Sequence, residues 1–407
     1  MIKRIYRGIK KIVKYSLNDI DKLKSSNLEY KNDYDDLLFM FDKYVNNAVP
    51  RANNFNFNLF SNEIISFVES MKVSESYSYR YAPSVSQPNI YNSIYACLLF
   101  FLLDKNNIFS KEELYSWGKH INSFQREDGF YIDKNIEAGH YYDIDWWGAR
   151  HLSPHVIIAL NYIGMKPKYE FNYIKKYYDK KELKNYLNSL DFDNIIGTDP
   201  DNALMNLGVL LQYQRDFFGD IKAGETLGIL FDELEKRINP RWGSWLYGSD
   251  DDMHYLSRTQ QFAYHLYPLW LYDKRPIQHI NKLIDLTLKT QTVLGGFGAR
   301  LNSSACEDID AIFLLIKLSE LTPYRKDDVN LSLAKYFPWV LSNQNSDGGF
   351  VFNRNEPFTY GHTFMSSKKN ESHLFATWFR TLSIAYLTKY LGLKNNFNIG
   401  RCPGYHF

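Results

Sequence analysis

Followed by the period of its apolar positions, the chain separates into two kinds of helical stretch. Six stretches are apolar on most faces: "YNSIYACLLFFLL" from Tyr91, "WWGARHLSPHVIIALNYIG" from Trp146, "NALMNLGVLLQY" from Asn202, "TQQFAYHLYPLWLY" from Thr259, "IDAIFLLIKL" from Ile309 and "HLFATWFRTLSIAYL" from His373. A helix apolar all round has to be buried, so each predicts an inner helix. Between them run amphipathic stretches such as "KEELYSWGKHINSFQ" from Lys111 and "RPIQHINKLIDLTLKTQ" from Arg275, which predict outer helices with one wet face. Few segments alternate with period two, so strands should be scarce.

A short phrase punctuates this alternation. It reads "QREDGF" from Gln125, "QTVLGGF" from Gln291 and "QNSDGGF" from Gln344, a Gln followed after three residues by Gly and then an aromatic. Gln291 and Gln344 are 53 residues apart, and Gln125 precedes Gln291 by 166, close to three such steps. A two-helix repeat of about 55 residues follows, with "NPRWGSWLYG" at Asn239 as a decayed copy. The fold class this predicts is all-α, an (α/α)6 toroid over residues 85–395. Residues 1–84 form a helical extension with a basic start and 396–407 a tail.

Composition narrows the partners. Lys and Arg number 48 against 46 Asp and Glu, a net charge of +2, and this near balance supplies no field that would draw nucleic acid. Three scattered cysteines, Cys97, Cys306 and Cys402, fit a reducing, cytoplasmic setting rather than a disulfide framework. No apolar run reaches the roughly 18 residues of a spanning helix. Residues 1–15 place Lys3, Arg4, Arg7, Lys10, Lys11 and Lys14 between Ile2, Ile5, Ile9, Ile12 and Val13 at helical spacing. This basic amphipathic segment suits either peripheral contact with an anionic membrane face or ordinary docking.

Polar residues cluster where the six apolar helices begin. They are Asp143, Asp145, Arg150 and His151; Asp199, Asp201 and Asn202; Arg258, Gln260 and His265; Asp308 and Asp310; and His373 with Arg380. If the Gly phrases lie on one face, these starts converge on a central cavity. Acidic residues at a helix start cap its free N–H groups, but one acid per start suffices. Arg150, His265 and Arg380 lie inside otherwise apolar helices, where an unpaired charge is costly. Two readings stand: buried ion networks that fix helix register, or a functional pocket of convergent titratable groups. His151, His265 and His373 can equally be satisfied core histidines. Cys306, Asp308 and His373 could make a zinc site, although no third-ligand spacing fixes it. His120, His155 and His362 look peripheral.

Two-helix repeats carrying Gln-x-x-x-Gly-Gly-Phe phrases resemble the α/α toroids of squalene–hopene cyclases, class II diterpene cyclases and protein prenyltransferase β subunits, over roughly residues 85 to 395. In those cyclases an Asp-x-Asp-Asp motif at an inner-helix start donates the initiating proton. "DIDA" from Asp308 matches its first two acids, with Ala311 in the last position. The resemblance implies Asp310 as proton donor and Asp308 as its neighbour. Independently, protonating an alkene demands a carboxylic acid kept neutral in a dry site, which a nearby like charge promotes. Trp146, Trp147, Phe262, Trp270, Phe375 and Trp378 are candidates to stabilise a developing cation. The prenyltransferase zinc motif has Asp and then Cys two residues later; here the second position is Asp310.

The function this predicts is protonation-initiated, class II terpene-cyclase-like chemistry on a polyprenyl or prenyl-diphosphate substrate. Asp310 and Asp308 are catalytic, and Asp143, Asp145, Arg150, His151, Asp201, Arg258, His265, His373, Trp378 and Arg380 contact substrate. No metal is assigned, neither Mg nor Zn having a clear motif. The alternatives are a carbohydrate-active toroid, lyase or glycosidase, and a non-catalytic toroid that binds glycan or protein.

Overall fold

The computed structural model describes residues 39–74, 77–193, 199–245 and 252–404. The basic segment 1–15 lies outside them. The described chain is mostly helical. After a π-helical turn at Phe41–Val45, its helices are α1 (Asn46–Asn53), α2 (Phe57–Ser70), α3 (Ile90–Leu102), α4 (Lys111–Asn122), α5 (Ala149–Ile163), α6 (Lys180–Ser189) and α7 (Pro200–Tyr213). There follow α8 (Ile221–Glu235), α9 (Met253–Tyr272), α10 (Ile280–Lys289), α11 (Ala305–Leu321), α12 (Lys326–Ser342) and α13 (Leu374–Tyr390). The only sheet among the described residues is a two-residue antiparallel pair, β1 (Phe358–Thr359) and β2 (Ser366–Ser367), within the α12–α13 loop.

The six apolar stretches are α3, α5, α7, α9, α11 and α13. Each packs against the next, and α13 packs back against α3. Every residue of α3 and of α7 is buried, as a helix walled on all sides requires. The amphipathic helices lie against this core: α2 on α3, α4 between α3 and α5, α8 on α7, α10 between α9 and α11, and α12 between α11 and α13. Helix α6 reaches α7 through the 3-10 helix Asn172–Tyr178.

The Gly phrases form the turns that lead from outer to inner helices. Gln125, Gln291 and Gln344 each donate through Nε2 to the carbonyl of the Gly four residues on, at 3.2, 3.0 and 2.8 Å. Each also makes a single antiparallel bridge, with Tyr131, Phe297 and Phe350 in turn, so the equivalent aromatic in the first copy is Tyr131 and not Phe130. Asn239 bridges Ser244 in the same manner, which makes the Asn239 segment a fourth copy of the turn. The glycines are steric necessities. A Cβ on Gly296 would overlap Ser303 Oγ and Trp339 Nε1, the groups that clasp the start of α11.

At the opposite end the tail crosses the connections from inner to outer helices. Asn398 N–H donates to Leu102 O at 2.9 Å, Gly400 N–H to Tyr162 Oη at 2.8 Å, and Arg401 to Tyr272 O at 2.7 Å. The tail thus ties the C-terminal ends of α3, α5 and α9 together. Among the described residues no helix is long and apolar enough to cross a membrane.

Candidate functional site

The three acids that open α11 do three different things. Glu307 closes a capping box: Ser304 Oγ accepts from Glu307 N–H at 3.2 Å while Glu307 Oε2 accepts from Ser304 N–H at 3.0 Å. Asp308 is fully buried and accepts four hydrogen bonds, from Phe297 N–H (2.9 Å), Ser303 Oγ (2.7 Å), Trp339 Nε1 (2.9 Å) and Arg380 Nη1 (2.8 Å). Arg380 is equally buried and donates its other bonds to the carbonyls of Val351, Ser303 and Phe352. Burial pushes the Asp308 carboxyl up, and Arg380 and the other donors pull it back. Asp308 and Arg380 therefore join the turns before α11 and α13, and neither lines the cavity described next.

Asp310 is different. Residues two apart on a helix do not share a face, so it points away from Asp308. It is 2 % exposed, lines a cavity of about 310 Å³, and accepts no hydrogen bond from any described residue. Burial, then the charges of Glu307 and Asp201, hold its carboxyl well above the usual carboxylate range; Arg258 opposes them and Asp308 adds least. What favours the neutral form of Asp310 is burial with Glu307 and Asp201, not the paired neighbour Asp308.

The cavity opens among the inner-helix starts, and helical spacing selects its lining. Arg258, Gln261 and His265 lie at i, i+3 and i+7 of α9; Cys306 and Asp310 at i and i+4 of α11; Phe375 and Phe379 at i and i+4 of α13. Since α11 packs between α9 and α13, Asp310 stands between a polar wall and an aromatic one. The aromatic wall continues through the α12–α13 loop. Phe352 stacks on Phe358 at 3.8 Å between ring centres, Tyr360 on Phe375 at 4.4 Å, and Phe375 meets Phe379 at 4.7 Å. Trp146, 36 % exposed, and His151 complete the lining.

Behind the polar wall lies a second ion cluster. Asp201, wholly buried on the first turn of α7, takes a bidentate pair from Arg258 at 2.7 and 2.6 Å and a third bond from His265 Nδ1 at 2.6 Å. Burial raises its carboxyl, yet Arg258 and His265 outweigh burial and hold it well below the usual range. Because Asp201 is ionised and accepts only, His265 Nδ1 must carry the proton. Its other nitrogen, Nε2, makes no hydrogen bond to a described residue, and the side chain lines the cavity. His151 is neutral, its ring pushed well below the ordinary histidine value by burial, His155 and His265, and it meets the hydroxyls of Tyr91 (3.2 Å) and Tyr360 (3.3 Å).

The remaining residues singled out in the sequence go elsewhere. His373 caps α13, accepting from Ala376 N–H at 3.3 Å while stacked on Tyr81, and burial lowers its ring to about 3. Trp378 is buried behind the aromatic wall against Tyr95. Gln260 donates to Glu307 O and accepts from Thr290; the neighbouring Gln261 lines the cavity. Trp147, Phe262 and Trp270 are core. Asp143, Asp145 and Arg150 line a separate crevice between α5 and α7. No group of three metal-ligating side chains assembles among the described residues, Cys306, Asp308 and His373 included. The sequence reading missed Phe352, Phe358, Tyr360 and Phe379. The signals for them were the period-two pair Phe358/Tyr360 and the i, i+4 step from Phe375.

Compared with models of known families the chain matches none, and no curated protein matches its sequence.

Proposed function

We propose that the six helix pairs form an (α/α)6 toroid and that the cavity at its inner-helix starts is the active site of a protonation-initiated, terpene-cyclase-like enzyme. The observation that carries this is Asp310: a buried carboxylic acid, free of hydrogen bonds to described residues, between a wall of stacked aromatics and a charged wall. A substrate alkene is a poor base and takes a proton only from an acid held neutral and unsolvated. Aromatic faces along Phe352, Phe358, Tyr360, Phe375 and Phe379 would stabilise the carbocation that follows. His265 Nε2 would remove the final proton, with Asp201 stabilising the imidazolium through Nδ1. One proton enters and one leaves, so the balance is that of an isomerisation. Arg258 would meet an anionic end of a prenyl diphosphate only by loosening its pairs with Asp201 and Asp199. An uncharged polyprenyl chain is therefore the better fit.

The polar wall supports one second reading. Asn202, Gln261 and Asp199 beside an exposed Trp146 would equally seat a sugar, with Asp310 as general acid. The test is incubation of the full chain in deuterated water with squalene, geranylgeranyl diphosphate and reduced oligosaccharides. Isoprenoid products carrying one deuterium, formed by the wild type and not by Asp310→Asn, are expected. Turnover of an isoprenoid by the variant would refute the role of Asp310, and cleavage of the oligosaccharide alone would replace the cyclase reading by the glycosidic one.

A further inference from the structure

The crevice that holds Asp143, Asp145 and Arg150 shares no lining residue with the cavity of Asp310. It measures about 300 Å³, at the small end of ligand sites, and lies between α5 and α7 under the 3-10 helix Asn172–Tyr178. Its walls are aromatic: Tyr177 and Tyr186 meet at 4.7 Å between ring centres, and Phe130, Tyr142 and Tyr173 also line it. Its floor is polar. Arg150 Nη1 donates to both oxygens of Asp145, at 3.1 and 3.0 Å, and Asn206 Nδ2 donates to the Asp145 carbonyl at 2.8 Å.

That last bond leaves a debt. With Nδ2 fixed on a carbonyl, the amide cannot turn, and Asn206 Oδ1 is a buried acceptor with no donor among the described residues, on a residue 4 % exposed. Such an atom costs about 1–3 kcal/mol unless something supplies a hydrogen. The guanidinium of Arg150, a third exposed, bonds Asp145 through Nη1 and leaves Nε without a hydrogen bond to a described residue. A group that can donate to Asn206 and accept from Arg150 is a hydroxyl.

The charges decide the rest of the ligand's character. Asp143 and Asp145 balance Arg150 and Lys176 among the lining residues, and Arg150 is already shared between Asp145 and, at 3.7 Å, Asp143. No net field is left to hold an anion or a cation. A neutral ring bearing hydroxyls at its edge and C–H groups on its face fits tyrosine walls and a hydroxyl-seeking floor. We infer that this crevice is a second binding site, specific for a neutral pyranose, distinct from the cavity of Asp310.

Saturation-transfer NMR on the full chain with the methyl glycosides of glucose, galactose, mannose and N-acetylglucosamine tests this. At least one glycoside should receive saturation on its ring-face protons. Tyr177→Ala, a change on a half-buried surface residue, should weaken the transfer at least about fivefold while Tyr177→Phe retains most of it, as face stacking predicts. Asp310→Asn should leave it unchanged, which separates this site from the proposed active site. Absence of transfer from all four glycosides, equal transfer in Tyr177→Ala, or loss in Asp310→Asn would each overturn the inference.

Discussion

Replacing Arg380 with methionine isolates what the Asp308–Arg380 pair does for the fold. Both side chains are wholly buried, and the guanidinium donates to Asp308 Oδ2 and to the carbonyls of Val351, Ser303 and Phe352 at 2.8, 2.9, 3.3 and 2.6 Å. Methionine keeps much of the volume, so packing changes little. What is lost is the counter-charge: orphaning one half of a buried ion pair costs about 3–5 kcal/mol. Three carbonyls also lose a donor, each worth about 1–3 kcal/mol if nothing replaces it. The turns can relax and water can enter, so these do not add in full, and a total near 5 kcal/mol is expected. For 407 residues at about 2.1 cal/mol/K each, 5 kcal/mol corresponds to a fall in melting temperature of about 6 °C. Circular dichroism at neutral pH measures it. Adding Asp308→Asn to Arg380→Met removes the orphaned charge and should recover part of the loss. A single variant that melts within about 2 °C of the wild type, or a double variant as unstable as the sum of its parts, would refute this account.

Three further outcomes follow from the same geometry. Asp310→Asn should raise the melting temperature at neutral pH and lose that gain as pH falls below 3.8, the ordinary carboxylate value. With its folded value raised, wild-type Asp310 ionises first in the unfolded chain and so destabilises the fold as pH rises; thermal melts across pH with no such gain would count against a buried neutral acid. Asp201 has the opposite sign: its folded value is lowered, so its stabilisation is complete above 3.8 and disappears as pH falls toward the folded value. Asp201→Asn should cost about 3 kcal/mol at neutral pH and flatten the acid limb of the stability curve, measured by urea unfolding. Gly296→Ala forces apart Ser303 and Trp339, two of the four donors to Asp308, and should cost about 1–3 kcal/mol with loss of Trp339 burial in its fluorescence.

The helices were legible because their signal is local. Six apolar stretches and the Gln-x-x-x-Gly phrase mark α3, α5, α7, α9, α11, α13 and the turns between pairs, and periodicity within about 15 residues determines both. That polar residues gather at the inner-helix starts was legible for the same reason. Which of them face the cavity was not, because it depends on rotation about each helix axis. One residue separates Gln260, bonded within the core, from Gln261 on the cavity wall, and two separate Asp308, clasped by Arg380, from Asp310. The motif-based pairing of Asp308 with Asp310 ignored that 200° turn. The aromatic wall was missed where it lies in the α12–α13 loop, since the period-two pair Phe358/Tyr360 is too short to show which element it packs against.

The central claim is that Asp310 is a neutral acid in its cavity, and its infrared spectrum tests this without any substrate. The account predicts that wild type minus Asp310→Asn, recorded at neutral pH, shows a protonated-carboxyl C=O stretch that shifts in deuterated water. A difference spectrum with only carboxylate bands would mean that Asp310 is ionised, and it would remove the proton donor on which the proposed function rests.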